Sequence, residues 1–212
     1  MQRFPAICVL LAGCASSTDG LDPESPFDAL RVEEPGRFER NWVLQVKIPA
    51  HLDRLSEEDE AFVVTAVRAL GSIDFQTYSA AASGLAELGE AVTPYLGHIG
   101  ERASQSERTF RVVAVVLAPV FLGLEPERVA FYLPSPYRVV RATAARVAGK
   151  RELLEYAPEL VGLLEDHDLQ VRRAAIAALR RLTNRFFGYD PAAKELRRAK
   201  PVRLWQRLLG SG

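Results

Sequence analysis

The stretch LVGLLEDHDLQVRRAAIAALRRLT, residues 160–183, predicts a helix, a polar turn and a second helix. In the second helix the apolar residues recur at the spacing of one helical face, and the arginines lie off that face. The apolar residues are Val171, Ala174, Ala175, Ala178, Leu179 and Leu182. Asp168 stands where a short carboxylate caps the first turn. Because the face is mostly alanine, the element that packs on it must come close, and the hairpin needs neighbours of its own kind to bury its surface.

The same apolar frame occurs four times, with starts at residues 77, 110, 140 and 171. The intervals between these starts are 33, 30 and 31 residues. An arginine follows the start of the frame in the last three copies. An acid lies three residues before the start in all copies but the third. The third copy has Ser135 and Pro136 there, which predicts a cap followed by proline at the first helical position. The polar run of residues 100–108 predicts a longer loop between the helices of the second copy.

Two of these stretches, LEDHDLQVRRAAIAALRRL and, less fully, LPSPYRVVRATAARVAG, resemble HEAT repeats. The resemblance covers roughly residues 56–183. It implies an all-α fold, a right-handed α-solenoid of about four HEAT-like helical hairpins with a C-terminal capping helix. It also implies that the turn acid and the following arginine lock successive turns together, here Asp168 with Arg172 and Glu107 with Arg111. No reaction follows from it.

The first residues, MQRFPAICVLLAGCASS, have the features of a secretory leader. One positive charge, Arg3, precedes a short apolar run at residues 4–12, which is too short to span a bilayer as a helix. The residues Leu11-Ala12-Gly13-Cys14 resemble the lipobox of bacterial lipoproteins, which implies acylation of Cys14. A buried N-terminal element with an incidental cysteine is the alternative, and an upstream start codon also stays open. After cleavage the mature chain would have no free thiol and no disulfide.

Four segments follow from these patterns: a signal peptide at 1–13, a flexible tether at 14–40, a HEAT-like repeat domain at 41–185 and a C-terminal cap at 186–212. The tether is rich in Ser, Asp, Glu, Pro and Gly, as flexible linkers are. Pro119 and Gly123 are expected to end the second helix of the second repeat. The cap contains apolar residues that share one helical side and are expected to seal the end of the core. They are Val202, Trp205, Leu208 and Leu209.

The formal net charge is zero, but the charges are unevenly placed. Residues 1–107 carry 8 basic and 17 acidic residues, and residues 108–212 carry 19 and 10. Arginine on solvated helical faces explains this pattern, and so does a basic half that meets an acidic protein, an anionic glycan or lipid headgroup, or the acidic half of a second copy. The partner-binding candidates are Arg141, Arg146, Arg173, Arg180 and Arg181. Arg172 is expected to be used in contacts between repeats, and so is Arg141 by its equivalent position.

The sequence contains no recognisable catalytic, nucleotide-binding or metal-binding motif, so we expect neither an enzyme nor a cofactor. The three histidines, His51, His98 and His167, lie in different elements and do not form a zinc site. The favoured interpretation is a lipid-anchored scaffold for protein–protein interaction in the cell envelope, at the periplasmic face of an outer membrane if the host has one. The alternative is a cytoplasmic HEAT-like protein with lyase-type or nucleic-acid-related activity. No aromatic residues alternate with the basic ones to stack on bases, which argues against nucleic acid.

Overall fold

A computed structural model describes residues 42–72, 74–102 and 107–210. Every regular element within these residues is helical, so the all-α prediction is confirmed for them. The α-helices of six residues or more are α1 (Glu57–Ala69), α2 (Phe75–Glu87), α3 (Thr93–Arg102), α4 (Glu107–Leu122), α5 (Pro126–Phe131), α6 (Arg138–Lys150), α7 (Ala157–Gly162), α8 (Leu169–Thr183) and α9 (Glu195–Leu209). Short 3-10 helices lie at Gly89–Val92, Leu154–Tyr156 and Leu163–Glu165.

The chain divides into two compact units, Met1–Val116 and Leu117–Gly212, and the division falls within α4. The leader and the tether, residues 1–40, lie outside the described residues. Their bounds, those of the repeat domain and the cap, the handedness of the solenoid and the number of its repeats all stay predictions.

In the first unit, α1 packs on α2, and both helices begin with a side-chain cap. The Ser56 hydroxyl accepts from the amide of Asp59 at 3.1 Å, and the Asp74 carboxylate accepts from the amide of Thr77 at 2.7 Å. Both caps satisfy amides that have no partner inside the helix. The helices also meet closely, because a Cβ at Gly84 would lie 2.6 Å from the ring of Phe62. Gly84 is therefore a close-packing glycine.

A buried tyrosine ties α3 to α1 in the first unit. The Tyr95 hydroxyl donates to Glu60 Oε1 at 2.8 Å and accepts from the amide of Leu55 at 3.4 Å. Arg54 Nε lies 2.7 Å from the same Glu60 oxygen. Burial, together with the bond to Glu60, raises the pKa of Tyr95 to about 12. The phenol thus stays neutral at physiological pH and fixes the start of α1.

Two details of the predicted helix boundaries are wrong. Pro119 does not end α4, which continues to Leu122, because Val120 and Phe121 are buried beyond the proline and their packing holds the last turn. Gly123 follows the helix as predicted. Ser135 and Pro136 do not start α6, which begins at Arg138 without a side-chain cap. The Ser135 hydroxyl accepts from the amide of Tyr137 at 3.3 Å and so shapes the turn before the helix.

The polar run at residues 100–108 is largely helical instead of a longer loop. Residues 100–102 belong to α3 and α4 begins at Glu107. Only residues 103–106 separate these helices, and they lie outside the described part of the chain.

In the second unit, α5 packs on α6, α7 packs on α8, and α6 packs directly on α8. The apolar faces predicted for α6 and α8 are buried, except that Leu182 is half-buried. The close approach predicted from the alanines is present, since a Cβ at Gly149 would lie 2.7 Å from Ala178 Cα. Small side chains on both helices thus allow α6 and α8 to pack almost backbone to backbone.

The segment after α8 folds back on the second unit. Asn184 ends the helix in the left-handed conformation, with φ of 51°. Tyr189 is buried, and its hydroxyl donates to the carbonyl of Leu164. The α9 helix then packs on α7 and on the 3-10 helix that follows α7. The predicted seal is present in part, because Val202 and Trp205 are buried whereas Leu208 is 45% exposed.

Candidate partner-binding surface

Arg141 lies in the interior of the second unit. Its Nε and Nη2 atoms donate to the two carboxylate oxygens of Asp166 at 2.7 and 3.1 Å. Its Nη1 atom donates to the carbonyls of Ser135 at 2.8 Å and Pro136 at 3.0 Å. The residue is only 6% exposed. Arg141 therefore joins α6 to the turn before α8, as expected of a contact between repeats, and is not on the surface.

Arg172 repeats this arrangement one helix pair later. Its Nη1 atom donates to the carbonyls of Asp166 at 2.7 Å and His167 at 2.9 Å, six and five residues before it, as Arg141 does in its own turn. Its Nε atom donates to the carbonyl of Pro191 in the segment before α9, at 2.8 Å. The expectation that Arg172 serves the fold is therefore correct.

The predicted pair of Asp168 with Arg172 is wrong. Asp168 instead accepts from the amides of Gln170 at 2.7 Å and Val171 at 3.1 Å, which is the predicted cap, and pairs with Arg138 at 3.1 Å. The carboxylate therefore binds its own helix and α6, and Arg172 binds the turn through carbonyls. Burial alone would raise the pKa of Asp168, but the hydrogen bonds from Arg138 and from the two amides outweigh it and leave this pKa below its usual value.

The other predicted lock joins Glu107 and Arg111, which do form an ion pair at 2.8 Å. Both side chains are more than half exposed, and they lie four residues apart on α4. Pairs of this kind on one helix surface stabilise only that helix, by about 0.3–0.5 kcal/mol. The pair therefore does not lock successive turns.

Three of the predicted arginines are exposed, namely Arg146, Arg173 and Arg181. Arg173 and Arg181 share one side of α8 with Ala177, which is also exposed, and with the half-buried Arg180. We call these four residues the α8 strip. Arg181 lies 4.0 Å from Glu152, at the limit of an ion pair, and Arg173 has no carboxylate of the described residues within that distance. The strip is therefore only partly neutralised.

Arg180 is held by the segment that follows α8. Its Nη2 atom donates to the carbonyl of Tyr189 at 3.2 Å, and its guanidinium lies 4.5 Å from the ring centre of Phe186. Such a cation–π contact contributes about 0.5–1 kcal/mol at an exposed site. Arg180 therefore fixes the position of Phe186 beside the strip.

Phe186 is 68% exposed, although the chain is held in place both before it, by α8, and after it, by the buried Tyr189. Its neighbour Phe187 instead packs edge-on against the buried Trp205, with ring centres 4.8 Å apart. Sequence reasoning placed both phenylalanines in the cap and missed the exposed one. No local signal marked Phe186, because the adjacent Phe187 has the same side chain.

Residues 126–200 match the family model of HEAT repeats. The match runs from the start of α5 into α9 and so includes the α8 strip and Phe186. It confirms the resemblance for residues 126–183, whereas the resemblance for residues 56–125 stays a prediction. No curated protein and no solved structure matches the chain.

The described residues do not bring metal-binding side chains together. Within residues 42–72, 74–102 and 107–210, no three His, Cys, Asp or Glu side chains are grouped as metal ligands. His98 stacks on Trp42, with ring centres 6.0 Å apart, and His167 lies 3.5 Å from Asp166 in the turn before α8. No helix of this part of the chain is both long and apolar enough to cross a bilayer. Cys14 lies outside it.

Proposed function

We propose that this chain is a non-enzymatic interaction protein that binds an acidic protein through the α8 strip and Phe186. HEAT repeats generally mediate protein–protein interaction, and the match includes this surface. The observation that carries the proposal is an exposed phenylalanine in contact with Arg180, on the side of α8 that also carries the exposed Arg173 and Arg181. Aromatic residues and arginine are the side chains that most often contribute binding energy in protein interfaces.

The backbone under the α8 strip is fixed before a partner binds. The opposite side of α8 is buried against α6, so the spacing of the Cα atoms of the arginines is fixed. Phe186 contacts Arg180, and the buried Tyr189 follows three residues later. A backbone that is ordered before binding loses less conformational entropy in the complex. Positive charge here favours a partner with acidic groups, and affinity should fall as salt rises.

Attachment to a membrane through Cys14 is a second part of the proposal. It is supported by the order Leu11-Ala12-Gly13-Cys14 after a short apolar run. Acyl chains contribute about 0.8 kcal/mol per buried methylene group, so two or more chains make a durable anchor. We place the protein in the cell envelope, at the periplasmic face of an outer membrane if the host has one.

The partner is to be found by crosslinking in the native host and then tested with purified components. Reversal of charge in the double variant Arg173→Glu, Arg181→Glu should abolish binding and leave the melting temperature unchanged. The matched control is Lys200→Glu, Arg203→Glu on α9, which changes the net charge equally and should bind as the unmodified chain does. Arg180 is left intact because it holds Phe186 and the Tyr189 carbonyl. If the α8 variant still binds, the proposed surface is wrong.

The same variants distinguish self-association from binding to another protein. If the unmodified chain forms a dimer at low salt and the α8 variant does not, the strip binds a second copy instead of another protein. Size-exclusion chromatography with light scattering at two salt concentrations measures this directly.

The anchor is tested by labelling with palmitate. The unmodified chain should take up the label, and a Cys14→Ser variant should stay unprocessed and unlabelled. Equal labelling of both would exclude acylation at Cys14.

A further inference from the structure

The outer face of α9 carries a row of basic side chains that take no part in the packing of the core. The helix buries Pro201, Val202 and Trp205 on one side. At 100° per residue, the opposite side carries four residues in succession, which we call the α9 outer face. They are Leu196, Lys200, Arg203 and Arg207. This face is directed away from the packing contacts of the helix.

The charges on this face are not neutralised within the described part of the chain. Lys200, Arg203 and Arg207 are all exposed, and no carboxylate of the described residues lies within ion-pair distance of them. Glu195 is the single acid of α9, against five basic residues. On α6 and α8 the charge is neutralised in part, since Arg141 pairs with Asp166 and Arg181 lies near Glu152, whereas Arg173 has no carboxylate of the described residues nearby.

An apolar side chain stands at the start of this row. Leu196, in the first turn, is 92% exposed. Leu208, in the last turn, is 45% exposed but lies on the flank of the helix, about 100° round the axis from Arg207. Arg203 and Arg207 also line an open hollow of about 380 Å³, together with Gln206 and Gly210. A guanidinium group offers several N–H donors to a phosphate.

We propose that the α9 outer face docks on an anionic membrane surface. Headgroup phosphates bind Lys200, Arg203 and Arg207, and Leu196 enters the interfacial layer at one end. Each basic residue near an anionic membrane surface adds to the attraction. The inference is independent of acylation at Cys14 and of the partner proposed for the α8 strip.

The arrangement of charges favours lipid over an acidic protein on this face. Protein interfaces place apolar residues at the centre and charged residues at the rim. On α9 the cations form the centre of the outer face, and the exposed Leu196 lies at one end. The phosphates of a membrane are spread over a plane and so reach all three cations at once.

The test measures binding to vesicles by co-sedimentation. It uses the purified full chain with Cys14→Ser, so that lipid on the protein does not contribute, and vesicles of phosphatidylcholine alone or mixed with phosphatidylglycerol. We expect tighter binding to the anionic vesicles and a decrease with salt. The triple variant Lys200→Gln, Arg203→Gln, Arg207→Gln should lose this added affinity, by a factor on the order of 100. Any binding through the apolar residues 4–12 is the same in every variant.

The matched control is Lys150→Gln, Arg173→Gln, Arg181→Gln, which removes three exposed charges from α6 and α8. It should keep most of the affinity for anionic vesicles, and Leu196→Gln should weaken binding several-fold. Equal binding to the two kinds of vesicle, equal loss in the control, or no loss in the α9 variant would each overturn the proposal. Binding of polyglutamate without binding of vesicles would assign the face to acidic protein and also overturn it.

The α9 variant should fold normally, because the three side chains are exposed and unpaired, and its melting temperature checks this. The salt dependence of the unmodified chain tests the proposal without any variant. If the α9 variant loses vesicle binding but still binds the partner of the α8 strip, the two surfaces are distinct. Loss of partner binding in the α8 variant alone bears only on the proposed function.

Discussion

Arg141 and Asp166 form a bidentate ion pair between α6 and the turn that leads into α8, with each side chain 7% exposed. Asp168, two residues later, pairs with Arg138 one turn earlier on α6. The two pairs run side by side and hold successive helix pairs of the second unit in one relative position. Burial of such charges is costly, but loss of one partner costs more, since it leaves the other charge unpaired.

Arg141→Met should therefore lower the free energy of unfolding by about 3–5 kcal/mol. The substitution leaves the Asp166 carboxylate without its main partner and frees two turn carbonyls. Urea unfolding followed by circular dichroism measures the change. The control Arg173→Met, at an exposed position, should stay within about 0.5 kcal/mol of the unmodified chain. A similar small effect for both variants would contradict a structural role for Arg141.

Gly149→Ala should destabilise the second unit although alanine favours helices. The added Cβ would lie 2.7 Å from Ala178 Cα, so α6 and α8 must move apart. Overpacking of this kind costs about 1–3 kcal/mol, which exceeds the gain of about 1 kcal/mol from helix propensity. Gly162→Ala is the matched control, because no atom lies within 4 Å of its added Cβ. Thermal unfolding should show opposite signs for the two variants, and a stabilised Gly149→Ala protein would refute the close approach.

Leu179→Ala should cost roughly 2–5 kcal/mol through the cavity it leaves, because this leucine is fully buried. Ala175→Leu, on the same face, should also destabilise, in this case by overpacking. Ala177→Leu inserts the same side chain two residues away on the exposed side of α8 and should have little effect. Equal melting temperatures for all three would show that the buried face of α8 is assigned incorrectly.

The charge of Asp168 should make the second unit sensitive to acid. Its pKa is lowered in the folded chain, so the stability it contributes is present above the unfolded pKa of about 3.9 and is lost as pH falls through the folded value. Asp168→Asn keeps a residue that can cap α8 but removes the charge. The two proteins should thus differ in melting temperature at pH 7, and the difference should shrink below about pH 4. A difference in melting temperature that does not change with pH would mean that the hydrogen bonds of Asp168 stabilise the fold and that its charge does not.

Local features of this fold could be predicted from the sequence. The buried face of α8 follows from the spacing of Val171, Ala175 and Leu179, since helical period and burial both act within one element. Asp168 could be recognised as a cap because a cap binds amides only two or three residues away. That a neighbour packs closely on α8 followed from the size of its alanine side chains.

Features that depend on distant residues could not be predicted. The turn before α8 offers Asp166 and Asp168, and only the position of α6 decides that the first binds Arg141 and the second Arg138. The same holds for Pro119, where packing on both sides of the proline preserves a helix that local rules would end. On the candidate surface, Arg173 and Arg181 are exposed, whereas the fold uses Arg141, and Phe186 was missed because nothing local distinguishes it from Phe187.

The contact of Arg172 with Pro191 shows how the last of these helix pairs is joined to the segment that follows it. Arg141 reaches forward to a side chain of the next turn, and Arg172, in the equivalent place, reaches forward to a main-chain carbonyl of the returning segment. That segment thus supplies to Arg172 the forward partner that the following turn supplies to Arg141. A turn with an aspartate equivalent to Asp166, in place of residues 184–193, would offer Arg172 a carboxylate instead, so the residue after α8 that meets this arginine decides whether it joins a further helix pair or the returning segment.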